Sequence, residues 1–249
     1  MAEVLIPLDI LSLAEVSFVI FIASAFRTAF GFGEALIAVP LLSLLLPIKF
    51  AAPLAVLASI LIALVAVIRE REHIHISSAK NLLLSTALGL PFGLLVLRFV
   101  PEGYAKVALG FLLLLFSLFS LLKPDFFVLK NDRFIWFFGF LAGISGGSYG
   151  MNGPPLAIYG AARAWSPQQF RATIQAYFLP ASLMGMAGYY FSGVWTQDVN
   201  VLFVYSLPAI VLGIYLGHLL TRTMDRNRFA RFLYFGLTLI AGILIFQGF

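Results

Sequence analysis

The most informative absences in this chain are those of cysteine and of charge. None of the 249 residues is cysteine, which excludes disulfides, zinc–thiolate sites and thiol nucleophiles. Charged residues make up only 11% of the chain, whereas soluble domains carry about a quarter. The sequence also contains no GKS/T phosphate loop, GxSxG elbow or HExxH pair. These absences exclude transport driven by the chain's own ATP hydrolysis, and we expect neither an enzyme nor a bound cofactor or metal.

Hydrophobic residues are correspondingly abundant in this chain. They make up 61% of the chain, 26 residues are Phe, and the mean hydropathy is +1.01. A soluble protein cannot hide so much apolar surface, so we predict a polytopic membrane protein whose surroundings are lipid. The pI of about 9.6 does not indicate a nucleic-acid partner, because the basic residues lie between hydrophobic runs and form no patch. Homo-oligomerisation stays open.

Six apolar stretches approach the roughly 20 residues that a helix needs to cross a bilayer. They are residues 51–68, 82–97, 107–122, 172–191, 199–221 and 232–249. The polar residues 123–133 are predicted to be a cytoplasmic linker between a first membrane repeat, 1–122, and a second, 134–249. The predicted fold is all-α, with each repeat formed by a broken, re-entrant helix pair and three transmembrane helices.

Two glycine-rich stretches interrupt the apolar pattern. Residues 27–34 separate the apolar pieces 16–26 and 35–46, and residues 145–155 separate the pieces 134–144 and 156–164. Each piece is only about half a span long at a rise of about 1.5 Å per residue. Because Gly weakens a helix and Pro fits the first turn of a new one, we predict two half-helices joined by an unwound loop at each place.

The two interrupted stretches also resemble each other. A shift of 115 residues aligns Gly31 with Gly146 and Pro40 with Pro155. If each broken pair leaves the membrane on the side that it entered, each half has five segments and the two halves are inverted. Thirteen of the 16 Lys and Arg residues then lie on one side, as the positive-inside rule favours. We therefore predict inverted repeats, with both termini in the periplasm.

Inverted repeats with interrupted helices are typical of secondary transporters. The free N–H groups and the dipole at a half-helix N-terminus favour an anion, and the predicted N-termini lie near Glu34 and Pro155. The alternative is that the small residues only permit tight helix crossing. The predicted substrate ligands are Arg27, Gly31, Gly33, Ser145, Gly146, Gly147, Ser148, Tyr149, Asn152, Gly153, Arg163, Arg171 and Gln175.

Arg27 and Glu34 are the most unusual residues of the first interruption. A charge at the bilayer centre costs about 2.5–3.5 kcal/mol even on lenient scales, which suggests a function. We predict that Arg27 is the counter-charge of an anion and that Glu34 is a proton-coupling carboxylate. The alternatives are a mutual structural ion pair, or an Arg27 side chain that reaches the inner surface. For Arg163 and Arg171, anchoring at the cytoplasmic face is the alternative to a substrate role.

The two interruptions carry a resemblance to a known family. Phe30-Gly31-Phe32-Gly33 followed by a helix through Pro40, and Gly143-Ile144-Ser145-Gly146-Gly147 followed by Gly153-Pro154-Pro155, resemble the sulfite exporter TauE/SafE family. The resemblance spans essentially the whole chain. It departs at Glu34, where the family usually continues with glycine.

The resemblance implies a multi-pass permease of the bacterial inner membrane for sulfite, sulfoacetate or other organosulfonates. We expect a secondary transporter that exports such an anion and uses the proton gradient. An importer of a small organic or sulfur oxyanion is the alternative within transport. The alternative of another class is an intramembrane enzyme or a non-transporting assembly partner.

Overall fold

A computed structural model describes residues 10–69, 76–122, 129, 132–220 and 226–248, and this part of the chain contains α-helices and one short 3₁₀ turn but no strand. The helices are α1 Ile10–Phe30, α2 Glu34–Leu45, α3 Ile48–Arg69, α4 Ile76–Phe99, α5 Glu102–Leu122, α6 Ile135–Tyr149, α7 Gly153–Ala162, α8 Pro167–Phe191, α9 Gln197–Leu220 and α10 Arg226–Gln247. The predicted all-α class is confirmed.

The helices are suited to a membrane in length and in surface. Five of them, α1, α3, α4, α5 and α9, are long and apolar enough to cross a bilayer. Large apolar side chains are exposed on the outer helices, and Phe191 and Phe246 each keep 84% of their surface accessible. Such exposure in water would be unfavourable, so the surroundings that fit this surface are hydrocarbon. The chain is a multi-pass membrane protein.

The two helices that follow the interruptions are short and lie inside the bundle. α2 has 12 residues and α7 has 10, as expected of half-helices, and Glu34 through Pro40 of α2 are all buried. The prediction was wrong for the helix before the first interruption. α1 has 21 residues, about 31 Å at 1.5 Å per residue, which is a full span by length. Its helix extends six residues upstream of the predicted piece and continues through Thr28, Ala29 and Phe30.

The second interruption is also shorter than predicted. Ser145 to Tyr149 were expected in an unwound loop, but they form the last turn of α6. Their glycines stay helical because they let two helix backbones touch: a Cβ added at Gly147 would lie only 2.9 Å from the backbone nitrogen of Leu94. Close packing between α6 and α4 thus outweighs the low helix propensity of Gly. The chain leaves helical structure only over residues 150–152.

Helices of the first half pack against helices of the second half: α4 packs against α6, and α1 packs against α9. Gly89 and Gly93 of α4 face α6, and Gly213 and Gly217 of α9 face α1. In both pairs the contacts advance in the same direction along the two helices, so the pairs are parallel. The same pattern, Leu-Gly-x-x-x-Gly-x-Leu, starts at Leu88 and at Leu212, a repeat that the sequence comparison missed.

Two further helix pairs also join the two halves. α5 packs against α10, and α3 packs against α8. A two-fold relation between residues of the first and second repeats would produce such pairing. The inverted orientation across a membrane and the repeat boundaries stay predictions, and the predicted linker 123–133 lies largely outside the described residues.

Candidate functional site

Both interruptions have the same backbone construction. α1 ends with Gly31 at φ 89°, and α6 ends with Gly150 at φ 67°. The N–H of Gly31 donates to the carbonyl of Arg27 at 2.6 Å, and that of Gly150 donates to the carbonyl of Gly146 at 2.8 Å. Glycine adopts this left-handed conformation without strain and is therefore the usual residue after a helix end. By this backbone geometry Gly31 corresponds to Gly150, whereas the sequence alignment had matched it with Gly146.

The next helix starts within three residues at each interruption. Gly33, which has no side chain, precedes α2, and Asn152, whose side chain does not cap the helix, precedes α7. In α2 the first i to i−4 bond runs from the N–H of Ile37 to the carbonyl of Gly33 at 3.3 Å, so the N–H groups of residues 34–36 precede it. α7 begins Gly-Pro-Pro, and its two prolines have no N–H to offer. α2 is therefore the stronger source of donors.

A cavity lies where the two interruptions meet. Residues 32–36 and 150–154 line it, together with Ser59 of α3 and Phe178 of α8. Its volume is about 10 Å³, roughly the room for one water molecule. An oxyanion is several times larger than that. In this structure the cavity is therefore too small for an oxyanion and must widen to hold one.

Arg27 and Glu34 form a buried ion pair beside this cavity. Nη1 of Arg27 donates to Oε1 of Glu34 and, at 2.6 Å, to Oγ of Ser59. The two side chains are only 4% and 5% exposed. Cζ of Arg27 also lies 4.8 Å from the centre of the Phe178 ring. Arg27 thus sits directly behind the cavity and touches three residues of its wall, which is the ion-pair geometry named above as the structural alternative.

The Glu34 carboxylate is only half satisfied. Its Oε1 accepts from Arg27, while Oε2 is buried and has no hydrogen-bond partner among the described residues. A buried carboxylate oxygen without a donor is unfavourable, since it has lost water and gained nothing in return. Within the described part of the chain, one oxygen of the ion pair is therefore left without a donor.

Ser59 connects the ion pair to the second half of the chain. Its hydroxyl lies 3.0 Å from the hydroxyl of Ser182 on α8, and both residues are buried. Ser59, Ser182 and Phe178 were not among the predicted ligands. The sequence signal that was available is a hydroxyl in the middle of a long apolar helix, which is weak because such hydroxyls usually bond to their own helix.

The second interruption has a neutral network in place of the ion pair. Nδ2 of Asn152 donates to the carbonyl of Ala142 at 3.2 Å and to the hydroxyl of Tyr177 at 3.1 Å. The Tyr177 hydroxyl lies 2.8 Å from that of Thr86, which donates to the carbonyl of Gly139 at 3.0 Å. This network fixes Asn152 at the start of α7 and joins it to α4, α6 and α8.

The predicted ligands divide into two groups. Gly33, Asn152 and Gly153 line the cavity together with Glu34, the predicted proton-coupling carboxylate, and Arg27 lies behind it. Other predicted ligands donate to backbone carbonyls away from the cavity. The hydroxyl of Ser145 donates to the carbonyl of Leu141, and that of Ser148 donates to the carbonyl of Ile144. The Tyr149 hydroxyl donates to the carbonyl of Ala105, and Nη1 of Arg163 donates to the carbonyl of Leu129. Gly146 and Gly147 face Asn152 and α4. The substrate roles of all these residues stay predictions.

Arg171 and Gln175 lie on α8, but their side chains are outside the described residues. Within the described ranges, no three His, Asp or Glu side chains lie together as a metal site requires.

Comparison with known proteins gives one match. The family model described as Sulfite exporter TauE/SafE matches residues 16–244, which is nearly the whole chain. The match includes both interruptions and the cavity between them. No curated protein and no solved structure matches the chain.

Proposed function

The chain belongs to the sulfite exporter TauE/SafE family, and we propose that it is a secondary transporter that exports a small sulfur-containing anion across the bacterial inner membrane. The anion is sulfite, sulfoacetate or another organosulfonate, and it binds in the cavity between the two interruptions. The observation that carries this proposal is the convergence of both interruptions on one cavity, with the uncapped N-terminus of α2 in its wall and Arg27 behind it.

The cavity supports an anion because of the groups that converge there. The N–H groups at the start of α2 carry the positive end of the helix dipole, and backbone at glycine lets a ligand approach closely. Arg27 adds a full charge that the ligand can reach once Glu34 releases it. Residues 31–33 and 150–152 are the non-helical links between packed helices, so the opening that admits the ligand is expected to bend the chain there.

The ion pair supports coupling to protons. An anion in the cavity competes with Glu34 for Arg27, and a Glu34 carboxylate that loses Arg27 is left charged in apolar surroundings. Uptake of a proton by Glu34 removes that cost. Anion binding and proton binding at Glu34 therefore favour each other, and the two move together or one gates the other.

We infer the orientation of the chain in the membrane from its distribution of Lys and Arg. The excess of Lys and Arg on one predicted side supports a cytoplasmic linker at residues 123–133 and periplasmic termini. Either direction of transport is compatible with a secondary transporter, and family membership is the basis on which we propose export.

The proposal is tested with purified protein in liposomes. We expect saturable flux of sulfite or of at least one organosulfonate, measured in both directions against a panel of sulfur oxyanions and carboxylates. Flux that depends on an imposed pH step supports proton coupling, and flux only from outside to inside in oriented vesicles supports the importer. Absence of flux for every anion would contradict a transporter and favour an enzyme or an assembly partner.

A further inference from the structure

The wall of the proposed anion site carries negative charge. Among the described residues that line the cavity, Glu34 is the one with a charged side chain, while Arg27 lies behind it and is already bonded to Oε1. An anion that occupies this cavity therefore has a residue with a carboxylate in its wall. Two negative oxygens in contact repel strongly where water is excluded, unless a proton lies between them.

Oε2 of Glu34, a residue of the cavity wall, is a hydrogen-bond acceptor without a donor among the described residues. Ser59 is bonded to Arg27 and lies within hydrogen-bond distance of Ser182, and the Asn152 amide donates to Ala142 and Tyr177. Oε2 of Glu34 has no such partner in the described part of the chain, although the side chain is only 5% exposed. A ligand that offers a donor to Oε2 completes the site, whereas a ligand without one leaves the oxygen unpaired.

We propose, on the basis of the function proposed above, that the transported anion donates a hydrogen bond to Oε2 of Glu34. The substrates are then oxyanions that also carry a donor: the acidic O–H of hydrogen sulfite, or a hydroxyl or amino group beside a sulfonate. The oxyanion end accepts from the N–H groups at the start of α2, and the donor end binds Glu34. An anion that carries a donor supplies the hydrogen between the two oxygens itself, whereas an anion that lacks one binds together with a proton taken up by Glu34, which is the coupled case described above.

A matched pair of sulfonates tests this specificity. 2-Hydroxyethanesulfonate and 1-propanesulfonate have the same head group and nearly the same size, but only the first has a hydroxyl. Each is measured as an inhibitor of sulfite flux in proteoliposomes and as a ligand of the detergent-purified protein by calorimetry. We expect the hydroxy compound to bind about tenfold more tightly or better, because a hydrogen bond to a buried charged group is worth roughly that much.

Two variants identify Glu34 as the origin of the preference. In Glu34→Gln the amide nitrogen can donate to any sulfonate, so we expect the two compounds to bind within about twofold of each other. Glu102→Gln is the matched control, since Glu102 is a carboxylate on α5 outside the cavity whose Oε1 accepts from the N–H of Ile48, a bond that Gln retains. This control keeps the wild-type preference.

The outcomes separate this inference from the proposed function. If the wild-type protein transports sulfite but binds both compounds equally, or binds neither, the donor requirement is wrong and the transporter stands. If no sulfur oxyanion binds or moves, the proposed function itself is overturned. If the preference exists but survives Glu34→Gln unchanged, the acceptor is another residue and the assignment to Glu34 is overturned.

Discussion

The two interruptions of this chain share a backbone and differ in chemistry. Each ends a helix with a left-handed glycine and starts a new helix within three residues. The first contributes a buried ion pair and an N-terminus with free N–H groups, while the second contributes a neutral amide–hydroxyl network and an N-terminus that begins Gly-Pro-Pro. The comparison teaches that two segments with the same backbone construction can line one cavity while, among the described residues, only the first of them carries a buried ion pair.

The asymmetry has an electrostatic reason. Each buried ion pair must offset a desolvation cost of several kcal/mol per ion, so a second pair in the same closed cavity would be expensive. A neutral network satisfies its own polar groups without that cost. The first interruption is therefore suited to respond to an anion and a proton, and the second is suited to hold its end of the cavity rigid.

The largest expected effect concerns the direction in which the two halves face. If they are inverted, a reporter enzyme that is active only in the periplasm is active when fused after residue 249 and inactive when inserted within 123–133. Because a polypeptide end lies on one side or the other, the difference should be all or none. A cytoplasmic C-terminus would contradict the inverted repeat and remove the basis of the comparison.

Loss of flux is expected when either interruption receives a bulky side chain. Gly31→Leu forces a branched residue into a left-handed conformation, Gly146→Leu drives its side chain against Asn152, and Gly153→Leu fills the cavity. We expect protein that reaches the membrane but gives background flux in liposomes. Gly242→Leu is the control, because a Cβ there meets nothing within 4 Å among the described residues. Normal flux in both Gly31→Leu and Gly146→Leu would move the site elsewhere.

Removing a side chain from the ion pair should destabilise the protein more than removing one from the neutral network. Arg27→Ala leaves Glu34 as a buried unpaired charge, and breaking a buried ion pair in this way costs about 3–5 kcal/mol of stability. Asn152→Ala removes neutral hydrogen bonds, which within membranes are worth about 0.6–2 kcal/mol each. Unfolding in mixed micelles measures both. Anion affinity should also fall in Arg27→Ala and recover in part in Arg27→Lys, which keeps the charge but not the fork. Equal costs for the two truncations would mean that Glu34 is not charged.

The smallest expected change in binding comes from Glu34→Gln. The variant should still bind a sulfur oxyanion, since Arg27 and the α2 terminus are retained, but its flux should no longer respond to an imposed pH step. Wild type and Glu102→Gln, in the same liposomes, should both respond. An unchanged response in Glu34→Gln would leave Glu34 as a structural partner of Arg27 and assign coupling to another group.

Sequence reasoning located the interruptions well and described their chemistry incompletely. The start of α2 at Glu34 and the burial of Arg27 and Glu34 agree with the pattern, because glycines and charges inside apolar runs are strong local signals. Ser59 and Phe178, which lie 25 residues or more away along the chain from either charge, gave no such signal. Their proximity to Arg27 exists only because α3 and α8 pack at the centre of the bundle.

What the sequence determined by itself are the properties that depend on near neighbours along the chain: the helices and their apolar surfaces. The tertiary structure decided which glycines are ends and which are contacts. Gly147 stays helical because α4 lies against it, whereas Gly150 turns because the chain must leave α6 there. It also decided that Glu34, beside a cavity, has one oxygen without a donor among the described residues. Helix propensity differs by only about 1 kcal/mol between Gly and Ala, so packing contacts between distant segments readily overrule it.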